Sequence, residues 1–226
     1  VPFMTVGFVA LSLTALALRI DSVPAAFFKI FSEAFSLRAL SGGVIGFFTS
    51  EAVRLGVMRG LLSNEAGCGT SPTAHAYSVS AAPSEQGAMG VIEVFVDTVL
   101  LCTLTALVII VSGVRSDGGE LMTVTMRAFS EILGPWAGGA VAVSVVFFGG
   151  ATAVCWTHYG MSGLKYLSDK KWLRVVFGAV YTLCTLLGGI IPSGSSFAAV
   201  DLSVGAMTVI NVVTLLLCRR EITEGT

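Results

Sequence analysis

Long apolar stretches without a charged residue constrain this chain more than any other feature. Residues 1–18, 98–114, 132–164, 175–200 and 202–217 contain no Asp, Glu, Lys or Arg. A helix needs about 20 mostly apolar residues to cross the hydrocarbon of a bilayer. Charged residues make up 12% of the chain, against roughly 25% in soluble domains. We therefore expect an all-α polytopic membrane protein.

The arrangement of these stretches predicts about six transmembrane crossings. Five are the apolar stretches, the second of them starting near Met89, and one is a broken helix around residues 63–71. Residues 22–41 and 115–131 are too polar to span, and we interpret them as amphipathic connectors on the membrane face. No Gly/Ser-rich linker separates domains, so residues 1–226 are expected to form a single transmembrane unit.

Composition also excludes several function classes. The net charge of −1 offers no basic field for nucleic acid. The five cysteines are scattered without a CxxC pair, so neither a metal site nor a disulfide framework is indicated. No nucleophile–base pair is apparent, and we expect no enzyme. Because Val1 stands directly inside an apolar stretch, we interpret the chain as a fragment of a larger protein.

The segment after residue 62 predicts an interrupted helix. Residues 43–62 suit a helix, and the polar, glycine-containing run Ser63–Gly69 follows. Glycine stops helices readily. Ser71 is a suitable N-cap and Pro72 fits the first helical position, where its missing N–H is not needed. The pattern is helix, unwound polar segment, second helix.

An unwound segment at membrane depth has consequences for binding. Backbone without helical hydrogen bonds is tolerated there only inside protein or beside a water-filled cavity. The carbonyl end of the first half-helix suits a cation, and the N–H end of the second suits a carboxylate. Such discontinuous helices are typical of secondary transporters. The other interpretation, an ordinary polar loop between two short helices, stays open on these grounds.

Several motifs resemble one known family, the alanine or glycine:cation symporters. The longest is "RGLLSNEAGCGTSPTAHA" at 59–76, which is similar to the family's G-L-F-S-N-E-A-G-x-G-S-A-P-x-A-H-A. The other matching stretches are "VPFM" at 1–4, "FVDTVLLCTLTALVII" at 95–110, "WTHYG" at 156–160 and "AMTVIN" at 206–211. The resemblance covers nearly all of the chain and corresponds to about the C-terminal half of the family.

The resemblance implies a leucine-transporter-like fold of five-plus-five inverted helices. The six crossings would then be helices five to ten, with residues 1–41 ending the first repeat, 42–220 forming the second and 221–226 a short cytoplasmic tail. It implies a multi-pass protein of the cell membrane that lacks the N-terminal half of its polypeptide, so that the 226 residues alone should not transport. A cytoplasmic C-terminus agrees with the slight excess of basic residues on that side: five (Arg19, Lys29, Arg38, Arg115, Arg127) against six (Lys165, Lys170, Lys171, Arg174, Arg219, Arg220).

The resemblance also implies a set of site residues. Substrate binding is expected of Ser63, Asn64, Gly67, Gly69 and Trp156. Sodium binding is expected of Thr152 and Ala151, and an ion path of Glu65, Asp97 and Thr98. No other metal and no cofactor is expected beyond Na⁺ as coupling ion, with H⁺ possible.

The chain departs from the family pattern at three places. Ala151 stands where the family has serine, so a sodium site would depend on Thr152 and backbone carbonyls. His158 replaces the first tyrosine of Tyr-Tyr-Gly, and Ile210 replaces the proline of Pro-Asn. These departures weaken the expectation of strict sodium coupling.

Structural roles compete with these assignments. Ser63 and Asn64 could contact the local backbone, the two glycines could be turn residues, and Glu65 could form a salt bridge with Arg54 or Arg59. Trp156 shares a helix face with Thr152, four residues earlier, but an interfacial belt tryptophan is the alternative.

Three polar residues lie further from the interrupted helix. For Asp97 we favour a structural contact between helices. We expect His75 to be packed and hydrogen-bonded rather than a proton relay, and Asp201 to be an N-terminal charge or a gate contact of the last helix.

These observations predict sodium-coupled symport of small neutral amino acids, alanine or glycine, by alternating access within the lipid bilayer. The alternatives are a proton-coupled amino-acid permease, a channel and a structural membrane subunit. A channel would need repeated rings of carbonyls or charges, whereas this chain has one asymmetric break.

Overall fold

In the computed structural model, the described residues are 2–34, 51–78, 82–115, 121–191 and 193–220, and they contain helices and turns but no strand. The expectation of an all-α protein is confirmed for them. In chain order the helices are α1 (Pro2–Leu18), a 3₁₀ turn (Ile20–Ser22), α2 (Val23–Ala34), α3 (Glu51–Asn64), α4 (Thr70–His75), α5 (Pro83–Val94), a π-helical segment (Phe95–Leu101), α6 (Cys102–Ser112), α7 (Leu121–Leu133), α8 (Pro135–Leu167), α9 (Lys171–Gly188) and α10 (Ser193–Leu217).

Within the described ranges, four helices are long and apolar enough to cross a membrane. They are Pro83–Ser112, Pro135–Leu167, Lys171–Gly188 and Ser196–Leu217, with 30, 33, 18 and 22 residues. A fifth span is possible if α1 and the helix after it, bent by 84°, act as one. The predicted broken crossing is not among them, because α3 has 14 residues and α4 has six. Its expected start, residues 43–50, lies outside the described residues.

The chain divides into two compact units, the first made of residues 1–57 and 96–149. In this unit α6 packs against α1, α2 and α7. The rings of Phe8 and Phe129 lie 5.7 Å apart in its core. Its buried residues are Ala15, Leu16, Ala26, Leu107, Val108, Ala128, Phe129, Ala137 and Val141.

The second unit comprises residues 58–95 and 150–226. Here α4 packs against α5. The part of α8 in this unit contacts α9, since the Tyr181 hydroxyl donates a hydrogen bond of 2.9 Å to the Ala153 carbonyl. Gly160 faces the Phe177 ring so closely that a side chain would not fit there. The polar residues of the interrupted helix belong to this unit.

Helix boundaries differ from the sequence prediction in two places. The helix expected from about Met89 begins at Pro83, which occupies the first turn of α5 as proline readily does. Both spans expected in 175–200 and 202–217 are present and the second ends at Leu217 as expected, but the boundary between them was wrong, because α9 ends at Gly188 and α10 already begins at Ser193. A second glycine follows Gly188 and disfavours continuing the helix. Asp201 therefore lies inside α10 instead of opening it.

Both predicted connectors contain helices. α2 lies within 22–41, and α7 within 115–131 extends to Leu133. Val124, Ala128 and Phe129 of α7 are buried, while Arg127 is exposed, as an amphipathic helix requires. Residues 35–41, the repeat boundary at 41/42 and the tail 221–226 lie outside the described residues, and the repeat assignment stays a prediction.

Candidate functional site

The interruption between α3 and α4 is formed by Glu65–Gly69, which we call the break. α3 ends at Asn64, and Glu65 takes a left-handed φ of 55°. Gly69 has a φ of 84° and caps α4, which starts at Thr70. A left-handed conformation is ordinary for glycine but unusual for glutamate. The predicted order of helix, unwound segment and second helix is confirmed.

The start of the second half-helix differs from the prediction. Ser71 does not cap α4 and Pro72 is not its first residue, because Gly69 is the N-cap without any side-chain cap bond. The left-handed glycine turns the chain into the helix two residues earlier than expected. The Ser71 hydroxyl instead donates a hydrogen bond of 3.4 Å to Glu93 on α5.

Local hydrogen bonds hold the break in shape. The Asn64 side-chain oxygen accepts a bond of 3.1 Å from the Ala66 N–H, which is an Asx turn. The Glu65 carbonyl accepts from the Thr70 hydroxyl at 3.3 Å and the Cys68 thiol at 3.2 Å. Cys68 and Thr70 are buried. The local backbone contact considered for Asn64 is therefore present.

Trp156 on α8 reaches the break from a distant part of the sequence. Its indole N–H donates a hydrogen bond of 2.6 Å to Glu65 Oε1. Both side chains are partly buried. The salt bridge considered for Glu65 is not found with Arg59, whose guanidinium pairs elsewhere. A charge-assisted bond of this length is among the stronger hydrogen bonds in proteins.

Asn211 on α10 contacts the break from another helix. Its amide nitrogen donates to the Gly67 carbonyl at 3.0 Å and to the Ala66 carbonyl at 3.4 Å. A Cβ on Gly69 would lie 2.9 Å from the Asn211 side-chain oxygen. The backbone can therefore approach Asn211 only because residue 69 is glycine.

An ion pair joins α3 to α10 near the break. Arg59 binds both carboxylate oxygens of Asp201, at 2.9 and 3.2 Å. The guanidinium also lies 4.1 Å from the centre of the Phe197 ring, close enough for a cation–π interaction. The role of N-terminal charge for Asp201 was wrong, because the residue lies within α10.

A polar cluster links α4 to α5. His75 contacts Gln86 through Nδ1 at 2.9 Å and Glu93 through Nε2 at 2.7 Å. A cavity of about 610 Å³ lies beside them, lined in part by Ala66 and Ser71. The expectation of a hydrogen-bonded His75 is confirmed.

Three further residues of this unit were predicted to bind substrate or sodium. Thr152 lies one turn before Trp156 on α8 with an exposed side chain, Ala151 is half-buried, and Ser63 is exposed in the last turn of α3. Their roles in binding stay predictions.

Asp97 and Thr98 lie in the other unit, within the π-helical segment. The Thr98 hydroxyl is buried there and has no hydrogen-bond partner among the described residues. π-Helical turns often occur at functional sites, but the ion path proposed for these two residues stays a prediction.

Sequence reasoning did not predict the hydrogen bonds of the Asn211 amide to the break or the ion pair of Arg59 with Asp201. A signal was available for both, since Asp201 is the one charged residue and Asn211 the one carboxamide in the helix Ser193–Leu217, and strongly polar residues within a membrane helix are functional candidates. The partners could not be inferred, because more than 140 residues separate each pair.

The sodium:alanine symporter family matches residues 1–225 of the chain. The sodium/alanine symporter AgcS of Methanococcus maripaludis is 34% identical over 96% of this chain and 48% of its own length. The uncharacterized transporter YflA of Bacillus subtilis is 34% identical over 98% of the chain and 48% of its own length. The probable sodium/glutamine symporter GlnT of the same organism is 28% identical over 90% of the chain and 42% of its own length.

The chain thus spans about half the length of the curated relatives it matches. The family consists of transporters, in agreement with the expectation that the chain is not an enzyme. Its candidate spans and this match make it part of a multi-pass membrane protein. The chain belongs to the sodium:alanine symporter family.

Proposed function

We propose that this chain is part of a secondary transporter that moves small neutral amino acids, alanine or glycine, together with sodium by alternating access. The observation that carries the proposal is the break, which side chains from two other helices contact. Trp156 fixes the Glu65 carboxylate and Asn211 fixes the Ala66 and Gly67 carbonyls.

The break offers the charges that a zwitterion and a cation require. Its one carboxylate, Glu65, lies next to the carbonyl end of α3, where the helix dipole is negative. A unit cation at about 4 Å from a carboxylate is attracted by about 4 kcal/mol at an effective dielectric constant of about 20. Either Na⁺ or the ammonium group of an amino acid fits this environment.

The fold that agrees with this site is the leucine-transporter-like inverted repeat. In it residues 42–220 form the second repeat and the break is part of its first helix, with the C-terminus in the cytoplasm and the protein in the cell membrane. The partner of the break would lie in the N-terminal half of the same polypeptide. Thr152 and the Ala151 carbonyl, one turn before Trp156 on α8, would add oxygen ligands for sodium.

The relatives support the proposed coupling ion, and the aromatic residue beside the break supports the proposed substrate. AgcS is a sodium/alanine symporter and GlnT a probable sodium/glutamine symporter, which supports sodium. In this proposal the indole of Trp156, which donates to Glu65 in the break, forms the wall of the substrate site against a small side chain and so favours alanine and glycine over larger amino acids. No cofactor is required by this mechanism.

Uptake into proteoliposomes tests the proposal. The protein at its full natural length should accumulate radiolabelled alanine under an inward sodium gradient, and monensin should abolish accumulation. Glycine should compete more strongly than glutamine. Accumulation driven by a proton gradient alone would favour the proton-coupled permease, and flux without saturation would favour a channel. A structural subunit would give no flux in any arm.

A further inference from the structure

His75 and Glu93 form a close pair between α4 and α5, separate from the Glu65–Trp156 contact. Their Nε2 and Oε2 atoms are 2.7 Å apart, and the side chains are 25% and 57% exposed. Ser71 donates a hydrogen bond to the same carboxylate oxygen. On its other side the imidazole meets the Gln86 side-chain oxygen at 2.9 Å.

The hydrogen bonds of the Gln86 amide limit which nitrogens of the His75 imidazole carry a proton. The Gln86 amide nitrogen donates to the Ser78 hydroxyl at 2.9 Å, so its oxygen faces His75. With the amide in this orientation, Nδ1 of His75 carries a proton and donates it to the Gln86 oxygen. A neutral imidazole then has a bare Nε2, which would face a carboxylate oxygen at 2.7 Å without a donor between them. In this amide orientation one additional proton occupies the contact between Nε2 and Oε2, and the His75–Glu93 pair is then neutral overall.

The same residues can also satisfy the state without that proton. If the Gln86 amide turns over, its NH₂ donates to Nδ1 and its oxygen accepts from the Ser78 hydroxyl. The single imidazole proton then sits on Nε2 and is donated to the Glu93 carboxylate. Each of these groups keeps a hydrogen-bond partner, and the charge of the His75–Glu93 pair changes from 0 to −1.

We propose that His75, Glu93 and Gln86 form a binding site for one exchangeable proton, with Gln86 and Ser78 as the groups that adapt to its gain and loss. The proton is taken from water and returned to water in the adjoining cavity of about 610 Å³, which His75, Gln86 and Ser78 help to line. This volume is large compared with the roughly 30 Å³ that one water molecule takes up in the liquid. The site does not depend on which substrate is transported.

Other titratable groups surround this site on each neighbouring element. The Tyr159 phenol on α8 interacts electrostatically with the Glu93 and Glu65 carboxylates and with the Cys68 and Cys155 thiols. The Glu65 carboxylate is bound by Trp156. Within the described part of α4 and α5, the remaining ionisable side chain is Glu85, which is exposed.

Nitrogen NMR of histidine tests the site directly, because the chain has two histidines. The protein is labelled with ¹⁵N-histidine and studied in lipid nanodiscs across about pH 5 to pH 8. His158→Gln assigns the signals, and His158, which packs against the Tyr77 ring at 5.1 Å, serves as internal reference. Glu93→Gln and Gln86→Leu are compared with the wild type.

The wild type is expected to convert from a form with both His75 nitrogens protonated to a form with a proton on Nε2 alone. Glu93→Gln should lose the doubly protonated form at pH values where the wild type shows it, while His158 is unchanged. Gln86→Leu should alter which nitrogen keeps the proton. A wild-type His75 that remains one neutral tautomer over the whole range would overturn the proposal, even if no variant folds.

Discussion

The Trp156 indole donates a 2.6 Å hydrogen bond to the carboxylate of Glu65, a residue 91 positions earlier in the chain. Among the described residues, Glu65 is also the one non-glycine residue whose φ is positive, at 55°. Such a conformation costs about 1–3 kcal/mol and persists where surrounding contacts enforce it. The contact thus fixes an unfavourable backbone at the first residue of the break.

Replacing Trp156 by Phe keeps an aromatic ring and removes the N–H donor. Hydrogen bonds to charged groups contribute about 1.5–3 kcal/mol, so we expect kcat/KM for alanine uptake to fall by about tenfold or more. Trp172→Phe is the matched control, because Trp172 is 60% exposed on α9. Equal uptake by both variants would show that the indole contact is dispensable.

Replacing Glu65 by Gln keeps an oxygen that accepts from Trp156 and removes the charge. If the carboxylate attracts the cation, the sodium concentration for half-maximal uptake should rise by about tenfold, which corresponds to about 1.4 kcal/mol. The measurement is initial uptake rate against sodium concentration. Glu85→Gln, at the exposed start of α5, should leave it unchanged. An unaltered sodium dependence in Glu65→Gln would remove Glu65 from the ion site.

Gly69→Ala should destabilise the break. Its Cβ would lie 2.9 Å from the Asn211 oxygen, and its φ of 84° is unfavourable for alanine by about 1–2 kcal/mol. We expect a lower unfolding temperature in detergent together with lost uptake. Gly205→Ala on α10 meets nothing within 4 Å, and it should be neutral or slightly stabilising because alanine favours helix. If the two variants melt alike, the close packing at Gly69 is refuted.

The Arg59–Asp201 pair should show coupling in a double-mutant cycle. Arg59→Asp places two carboxylates together and Asp201→Arg two guanidiniums, so each alone should lower the unfolding temperature and the uptake rate. The exchanged pair restores opposite charges and should recover most of both. A coupling of about 1 kcal/mol is expected for a pair that is only partly buried. Additive losses in the double variant would argue that the pair is incidental.

Sequence patterns sufficed to predict the break, because glycine disfavours helix through its local backbone preferences, and Gly69 takes the left-handed φ that precedes α4. The same local preferences predicted the wrong start for α4, because the Ser71 hydroxyl does not cap the helix and instead donates a hydrogen bond to Glu93 on α5. The start of α10 was also misplaced, because the absence of charge from 175 to 200 does not mark the boundary between α9 and α10 that lies within this stretch.

Contacts between distant residues could not be predicted in the same way. Nothing local marks Glu65 as the partner of Trp156, or Asn211 as the partner of the Ala66 and Gly67 carbonyls. These pairings depend on how α8 and α10 pack around the break, which hydropathy alone does not determine. The resemblance to a family supplied Trp156 as a candidate, and the structure supplied its partner.

The fluorescence of Trp156 tests the central claim most directly. A variant with Trp136→Phe and Trp172→Phe keeps Trp156 as the single tryptophan of the chain, and any tryptophan elsewhere in the full-length protein is replaced likewise. If the break binds the amino acid, alanine should change the emission of Trp156 saturably, and only when sodium is present. The account would be contradicted by a variant that transports alanine although neither alanine nor sodium changes the emission of Trp156.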